Sequence, residues 1–412
     1  MNRYAQQTPP KWWSPKLNPF WIRLWRPLRR RRQIAEQQLM EIEVRGLEQV
    51  REPLAAGCGL MINANHSGHA DAHIMYHAAD EIGTPFYFMT AWQVFSQQGW
   101  IGQQILRWHG CFSVDREGSD MKAFRQATDI LQNEPEPLVI FPEGEVYHLN
   151  ERITPFREGA ATVALSAAKR AKRDVLVVPC AIKYQYLADP RPKLLELMDR
   201  LESQIFWRPQ PNLPLFERIY RFAEGAMALK ELEHLGHTSS GPLPERIAAL
   251  ADHVLGKLEA SYQLENEGRT VPERVKELRR HAMERRENCD GDVAARQQCE
   301  HDLDDLFLVV QLFSYPGDYV NERPTIERMA ETLDKFEEDV LGVYSAGIRG
   351  QRKATVCFGE PIPAEPSRDR KHAAHNLTQQ VEQSVQRLLD GIEIPAGRFG
   401  EGTCSGGVGG QT

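Results

Sequence analysis

Among its 412 residues the chain has only seven cysteines, no CxxC pair, no internal repeat and no long apolar run. The thiols are odd in number and scattered (Cys58, Cys111, Cys180, Cys289, Cys299, Cys357, Cys404). They offer no disulfide framework, which points to a reducing cytoplasm. No segment approaches the ~18–20 apolar residues that cross a bilayer. The N-terminus does not read as a secretory signal either, because charge follows its apolar residues. Acidic residues are missing from one stretch altogether. Residues 1–35 hold nine Lys/Arg and no Asp or Glu, so a formal charge of −7 divides into a +9 arm and a −16 body. An acidic body excludes a protein that coats nucleic acid generally.

The same arm carries Trp12, Trp13, Trp21 and Trp25, four of the eight tryptophans. From Asn18 to Arg32 it reads NPFWIRLWRPLRRRR. Aromatic and aliphatic residues mixed with arginine suit a membrane interface, where indole rings sit at headgroup depth and each base near an anionic surface adds about 1 kcal/mol. Pro19 and Pro27 are expected to limit any helix here to a turn or two. The competing readings are a basic arm folded back on the acidic body, a disordered tail or, last, an arm that stacks RNA bases.

Residues 60–190 alternate strand-length apolar runs with helical patterns, which predicts an α/β fold. The runs are Leu60–Ala64, Phe86–Met89, Cys111–Val114, Leu138–Phe141 and Val175–Ile182. Ser119 is positioned to cap a helix bearing Met121, Phe124, Ala127, Ile130 and Leu131, and Gly159–Lys172 is an Ala-rich helix ending in bases. Residues 191–349 read as helical almost throughout, with Pro272 opening a charged helix whose faces should be solvated. A last strand, Ala354–Phe358, precedes a helix placed to start at Ser367. The predicted organisation is an arm at 1–40, a core at 41–190 completed by 350–365, a helical insertion at 191–349, a C-terminal helix at 366–393 and a disordered Gly-rich tail at 394–412.

The chemistry concentrates where the first of these strands ends, in NANHSGHADAHIMYH from Asn63. A neutral His66 suits proton abstraction from a hydroxyl, and Asp71 five positions on can fix its tautomer. Downstream, GCFSVDRE ends a strand in Arg116, FPEG ends another in Glu143-Gly144, and PFREG sets Arg157 at a helix start, where anions are favoured. Val178-Pro179 closes a further strand.

Taken in order, NHSGHAD, GCFSVDR, FPEG and VVP resemble the glycerolipid acyltransferase family, of the glycerol-phosphate and lysophosphatidate type, over residues 60–190 and the CFGEPI segment. The resemblance implies a central mixed sheet flanked by helices, here with a long all-helical insertion. It implies a peripheral or monotopic enzyme on the cytoplasmic face of a membrane, moving a fatty acyl group from acyl-CoA or acyl carrier protein to the hydroxyl of a lysophospholipid or related glycerolipid. His66 would be the base and Asp71 its orienting partner. Asn65, Arg116, Glu143, Gly144 and Arg157 would bind substrate, and neither a cofactor nor a metal is implied. Two departures stand out. Where the family continues FPEG with Thr-Arg-Ser this chain has Glu145-Val146-Tyr147, which weakens a phosphomonoester acceptor. Ser113 replaces a usually bulky apolar residue. The alternatives are a metal-dependent hydrolase built on His66, His69 and His73, and an inactive membrane-bound scaffold.

Overall fold

Strand-length runs of branched and aromatic residues pair into one mixed sheet in a computed structural model, which describes residues 11–116, 120–170, 172–265, 268–289, 291–322, 324–395 and 399. The strands are β1 (Leu39–Arg45), β2 (Gly59–Ala64), β3 (Tyr87–Ala91), β4 (Cys111–Val114), β5 (Leu138–Ile140), β6 (Val175–Tyr186), β7 (Arg352–Phe358) and β8 (Ile362–Pro363). Their order is β1-β7-β6-β2-β5-β3-β4, with β8 added against β6. The pairs from β6 through β2, β5 and β3 to β4 are parallel, as is β1 with β7, while β7 runs antiparallel to β6. That reversal makes the sheet mixed.

The two-residue period of β2 sorts its side chains onto two faces. Met61 joins a cluster with the helices Met121–Asn133, Gly159–Ala168 and Arg370–Asp390. Leu60, Ile62 and Ala64 face the opposite layer, which includes the helix Asp71–Ile82. Both faces are covered, as a parallel sheet requires. Cys111 and Cys180 are buried in their strands, in line with the sequence reading.

β1 was not among the predicted strands. Its Glu41, Glu43 and Arg45 obscure the alternation; Arg45 pairs with Glu43 within the strand at 2.7 Å, and Lys353 on β7 contacts Glu41 at 2.6 Å and Glu43 at 2.8 Å. β6 also extends past Ile182 to Tyr186, because Cys180–Tyr186 pair with β7. Lys183, which breaks the apolar run there, is buried and donates to the carbonyls of Leu389 (3.0 Å) and Ile392 (2.8 Å) at the end of the last helix.

The arm departs furthest from expectation. Pro19–Ala35 is one helix of 17 residues with Pro27 inside it. Pro19 stands in the first turn, where no donor is missed, and Asn18 caps Phe20 and Trp21. The tryptophans serve packing. Trp12 lies against Phe112, Trp13 stacks on Phe95 at 5.2 Å and Trp21 on Trp108 at 4.9 Å. Ser113 explains itself here: its hydroxyl accepts from the Trp13 amide and donates to the Lys11 carbonyl, so a small polar residue on β4 holds the arm. Residues 1–10 lie outside the described set. So do Ser119, with the helix start falling to Asp120 as cap, and nearly all of the tail expected to be disordered. Asp369, not Ser367, caps the last helix.

Between β6 and β7 the helices Arg191–Ile205, Leu215–Leu235, Leu243–Tyr262, Val271–Glu287, Val293–Phe313, Tyr319–Glu322 and Ile326–Leu341 form two apolar clusters. Buried ion pairs also tie these helices together: Arg218 with Glu202, Arg246 with Glu231 and Arg274 with Glu259. The charged helix Val271–Glu287 is therefore not merely solvated.

Charge-assisted bonds to buried carbonyls are worth about 1.5–3 kcal/mol. Replacing Lys183 with Met should lower the unfolding free energy in urea by about that amount and open the last helix to proteolysis. An unchanged midpoint and digestion pattern would count against this anchor.

Candidate active site

Loops leaving the C-terminal ends of the parallel strands β2, β4 and β5 gather at one edge of the sheet, the place where α/β sheets expose their crevice. His66 follows β2, Arg116 follows β4 and Glu143 follows β5. His66 Nδ1 lies 2.8 Å from Asp71 Oδ2. Asp71 opens the helix Asp71–Ile82 and is fully buried, so the helix N-terminus favours its charge. It also accepts from the Gly68 amide (3.0 Å) and the Tyr184 hydroxyl. With Nδ1–H given to Asp71, the Nε2 of His66 carries the lone pair, and among the described residues it has no protein partner. The ring lies on Phe141 at 4.3 Å and is about a quarter exposed.

Asn65 and Glu143 do different work from that expected of substrate contacts. The Asn65 amide is fully buried and is spent on the backbone of Ile182, accepting from its N–H at 2.7 Å and donating to its C=O at 2.9 Å. It carries the β2–β6 pairing into the loop. Glu143 accepts from the His66 amide (2.7 Å) with one oxygen and from the amide and hydroxyl of Thr154 with the other. Both are braces behind His66. Gly144 has φ +81°, and a Cβ there would lie 2.7 Å from the Arg157 guanidinium carbon, so the turn needs glycine.

Arg116 and Arg157 do converge, but on a residue of the protein itself. Arg116 contacts the Glu145 carboxylate at 2.9 Å and donates to the Gly144 carbonyl. Burial pushes the Glu145 carboxyl up, yet the charges of Arg116, Arg157 and Arg279 outweigh it and hold it below the usual range. Arg279 comes from the helix Val271–Glu287 of the insertion, more than 130 residues from Glu145, and nothing in its local sequence singles it out. Tyr184 was likewise missed; its only signal is the alternation of KYQY beyond Ile182.

The histidines do not form the cluster read from their spacing. His66 pairs with Asp71, while His69 sits before the helix and meets Glu338 at 3.0 Å. His73 points elsewhere: its buried Nδ1 has no hydrogen-bond partner, and burial lowers its pKa. His77 contacts Glu81 at 3.1 Å. A hydrolytic metal held by His66, His69 and His73 thus has no common ligand sphere.

Burial pushes the Glu143 carboxyl up to about 7, against the hydrogen bonds from Thr154 and His66 that pull it down. A folded-state value above the unfolded one makes the native state hold a proton that the unfolded chain loses. Stability therefore falls as pH rises from about 4.5 to about 7, by up to about 3 kcal/mol from this group. Glu143→Gln removes the titration, so urea midpoints of the variant should depend less on pH across that window than those of the wild type. Parallel pH profiles would refute the assignment.

Residues 41–183 match the Acyltransferase family model. The matched stretch runs from β1 into β6 and contains every residue of the crevice except Tyr184 and Arg279. No curated protein matches the chain. The crevice at the end of β2, β4 and β5 thus lies within an Acyltransferase family domain, and the activity that this domain supports is acyl transfer.

Proposed function

We propose that the protein is a membrane-associated O-acyltransferase that moves a fatty acyl group from acyl-CoA or acyl carrier protein to the hydroxyl of a lysophospholipid or related glycerolipid. The observation that carries this reading is the dyad: a buried Asp71 orients His66 so that Nε2 is left for an incoming hydroxyl. His66 takes the hydroxyl proton as the oxygen attacks the thioester carbonyl. The tetrahedral intermediate then expels the thiolate, which receives that proton from the imidazolium. No serine nucleophile is needed.

Two features support the substrate class. An apolar cavity of about 200 Å³ opens beside Tyr147 and His148 and runs between Ile219, Met227, Leu308 and Phe336, a lining suited to an acyl tail. The arginines next to the dyad already hold Glu145, which favours an acceptor without a free phosphomonoester.

Membrane contact is supported by the outer side of the helix Pro19–Ala35. Phe20, Leu24 and Leu28 are exposed at four-residue spacing among Arg23, Arg30 and Arg31. Trp100 and Ile101 are exposed on the neighbouring helix Trp100–Trp108. Among the described residues no helix is long and apolar enough to span a membrane. A peripheral seat on the cytoplasmic face, with apolar side chains inserted and arginines at the headgroups, fits this surface.

General-base catalysis is worth about 10²–10⁴-fold. His66→Ala in the full chain should reduce transfer of labelled acyl groups to a lysophospholipid panel by at least about a hundredfold while the protein stays folded by circular dichroism. Near wild-type transfer would overturn the mechanism. The triple change Phe20→Ser, Leu24→Ser and Leu28→Ser should lower co-sedimentation with anionic liposomes while leaving turnover of a soluble short-chain donor and acceptor in place. Undiminished sedimentation would remove the helix from the membrane contact.

A further inference from the structure

Beside the dyad, and apart from it, three ligand-type side chains from distant parts of the chain meet. His69 comes from the loop after β2, His148 from the segment after FPEG, and Glu338 from the helix Ile326–Leu341 of the insertion. The Nε2 atoms of His69 and His148 stand 3.0 and 3.1 Å from the same Glu338 oxygen, and the ligand atoms all lie within 4.8 Å of one another. A zinc ion with bonds of about 2.0–2.1 Å and tetrahedral angles separates its ligand atoms by about 3.3 Å. The two nitrogen–oxygen distances are close to that separation, and small side-chain shifts would bring the whole set to it.

Hydrogen bonding accounts for only part of the arrangement. His69 bonds to Glu338, and so does the Ala346 amide at 3.0 Å, on the same oxygen. His148 is more than nine-tenths buried, and its Nε2 lies 3.1 Å from that same oxygen, an ion-pair contact that falls short of good hydrogen-bond alignment. One carboxylate oxygen is thus shared by two imidazoles and an amide, a crowding that a shared cation would relieve. The backbone is also committed to this aim. His148 adopts φ +53°, a left-handed conformation seldom taken by a residue with a side chain, and Asn150 pins the segment by two bonds to the backbone of Tyr184. The nearby Lys335 ammonium lies 3.6 Å from Asp339 and over the Tyr315 ring, so its charge is matched.

We propose that His69, His148 and Glu338 bind a divalent transition metal of the zinc class, with a water on the exposed side of His69 as fourth ligand. The ion clamps two catalytic loops to the insertion. His69 is three residues from His66, and Tyr147, next to His148, donates its amide to the His66 carbonyl at 3.3 Å. Its role is positional and needs no step of acyl transfer.

The test uses the full chain with any affinity tag removed, stripped with chelator and titrated with Co²⁺ and then Zn²⁺. One equivalent of Co²⁺ should give tetrahedral d–d absorption that Zn²⁺ displaces, and Zn²⁺ should raise the melting temperature by several degrees. His69→Gln, a change at the most exposed ligand, should weaken binding at least tenfold and abolish the thermal shift without unfolding the protein; Glu338→Gln should do the same. Absence of stoichiometric binding by the wild type, or binding undiminished in His69→Gln, would overturn the site. Because neither readout depends on turnover, that result would leave the acyl-transfer reading untouched.

Discussion

A carboxylate sealed from water must have its charge and lone pairs satisfied by the fold, and Asp71 is such a group. Its partners are a ring nitrogen and an amide from the loop after β2 and a hydroxyl from β6. One side chain therefore ties the start of a helix, the loop bearing His66 and the neighbouring strand. Glu143 repeats the device from the other side, joining the His66 amide to Thr154. Between these two buried acids the imidazole has little freedom, and its Nε2 is held outward, as the proposed general-base role requires.

The same economy governs the charges around the crevice. Arginines from three regions surround Glu145, and one of them belongs to the insertion. The insertion is thus part of the crevice wall, and its helices line the apolar cavity that runs between Tyr147 and Phe336 beside it. Its own packing rests on bidentate arginine pairs that are nearly sealed from solvent, such as Arg218 with Glu202. Pairs of this kind add little net stability over apolar packing, but losing one partner is costly, so they fix which helices can meet.

The N-terminal arm combines two tasks that its composition merges. Tryptophans face inward and pack on Phe95, Trp108 and Phe112, and Arg29 binds Asp80. Phe20, Leu24 and Leu28 turn outward. Folding of a basic arm onto an acidic body accounts for one side of this helix, and the proposed membrane contact would use the other.

Six of the eight strands, the dyad and the family motifs were legible in the sequence, because strand periodicity and short-range spacing are local properties. His66 and Asp71 meet across five residues, and Gly144 needs its turn whatever surrounds it. Other features were decided only by tertiary structure, since their partners are far apart in the chain. β1 is a strand because the distant β7 pairs with it, Lys353 meeting two of its acids. Glu143 and Asn65 are braces because the chain buries them, and Arg116 is occupied because Glu145 reaches it. His69 parts from His66 and His73 and meets His148 and Glu338, since a loop and a helix point side chains in different directions. Residue types and local spacing determined what chemistry the chain could perform; long-range burial and pairing decided which of those residues face a substrate.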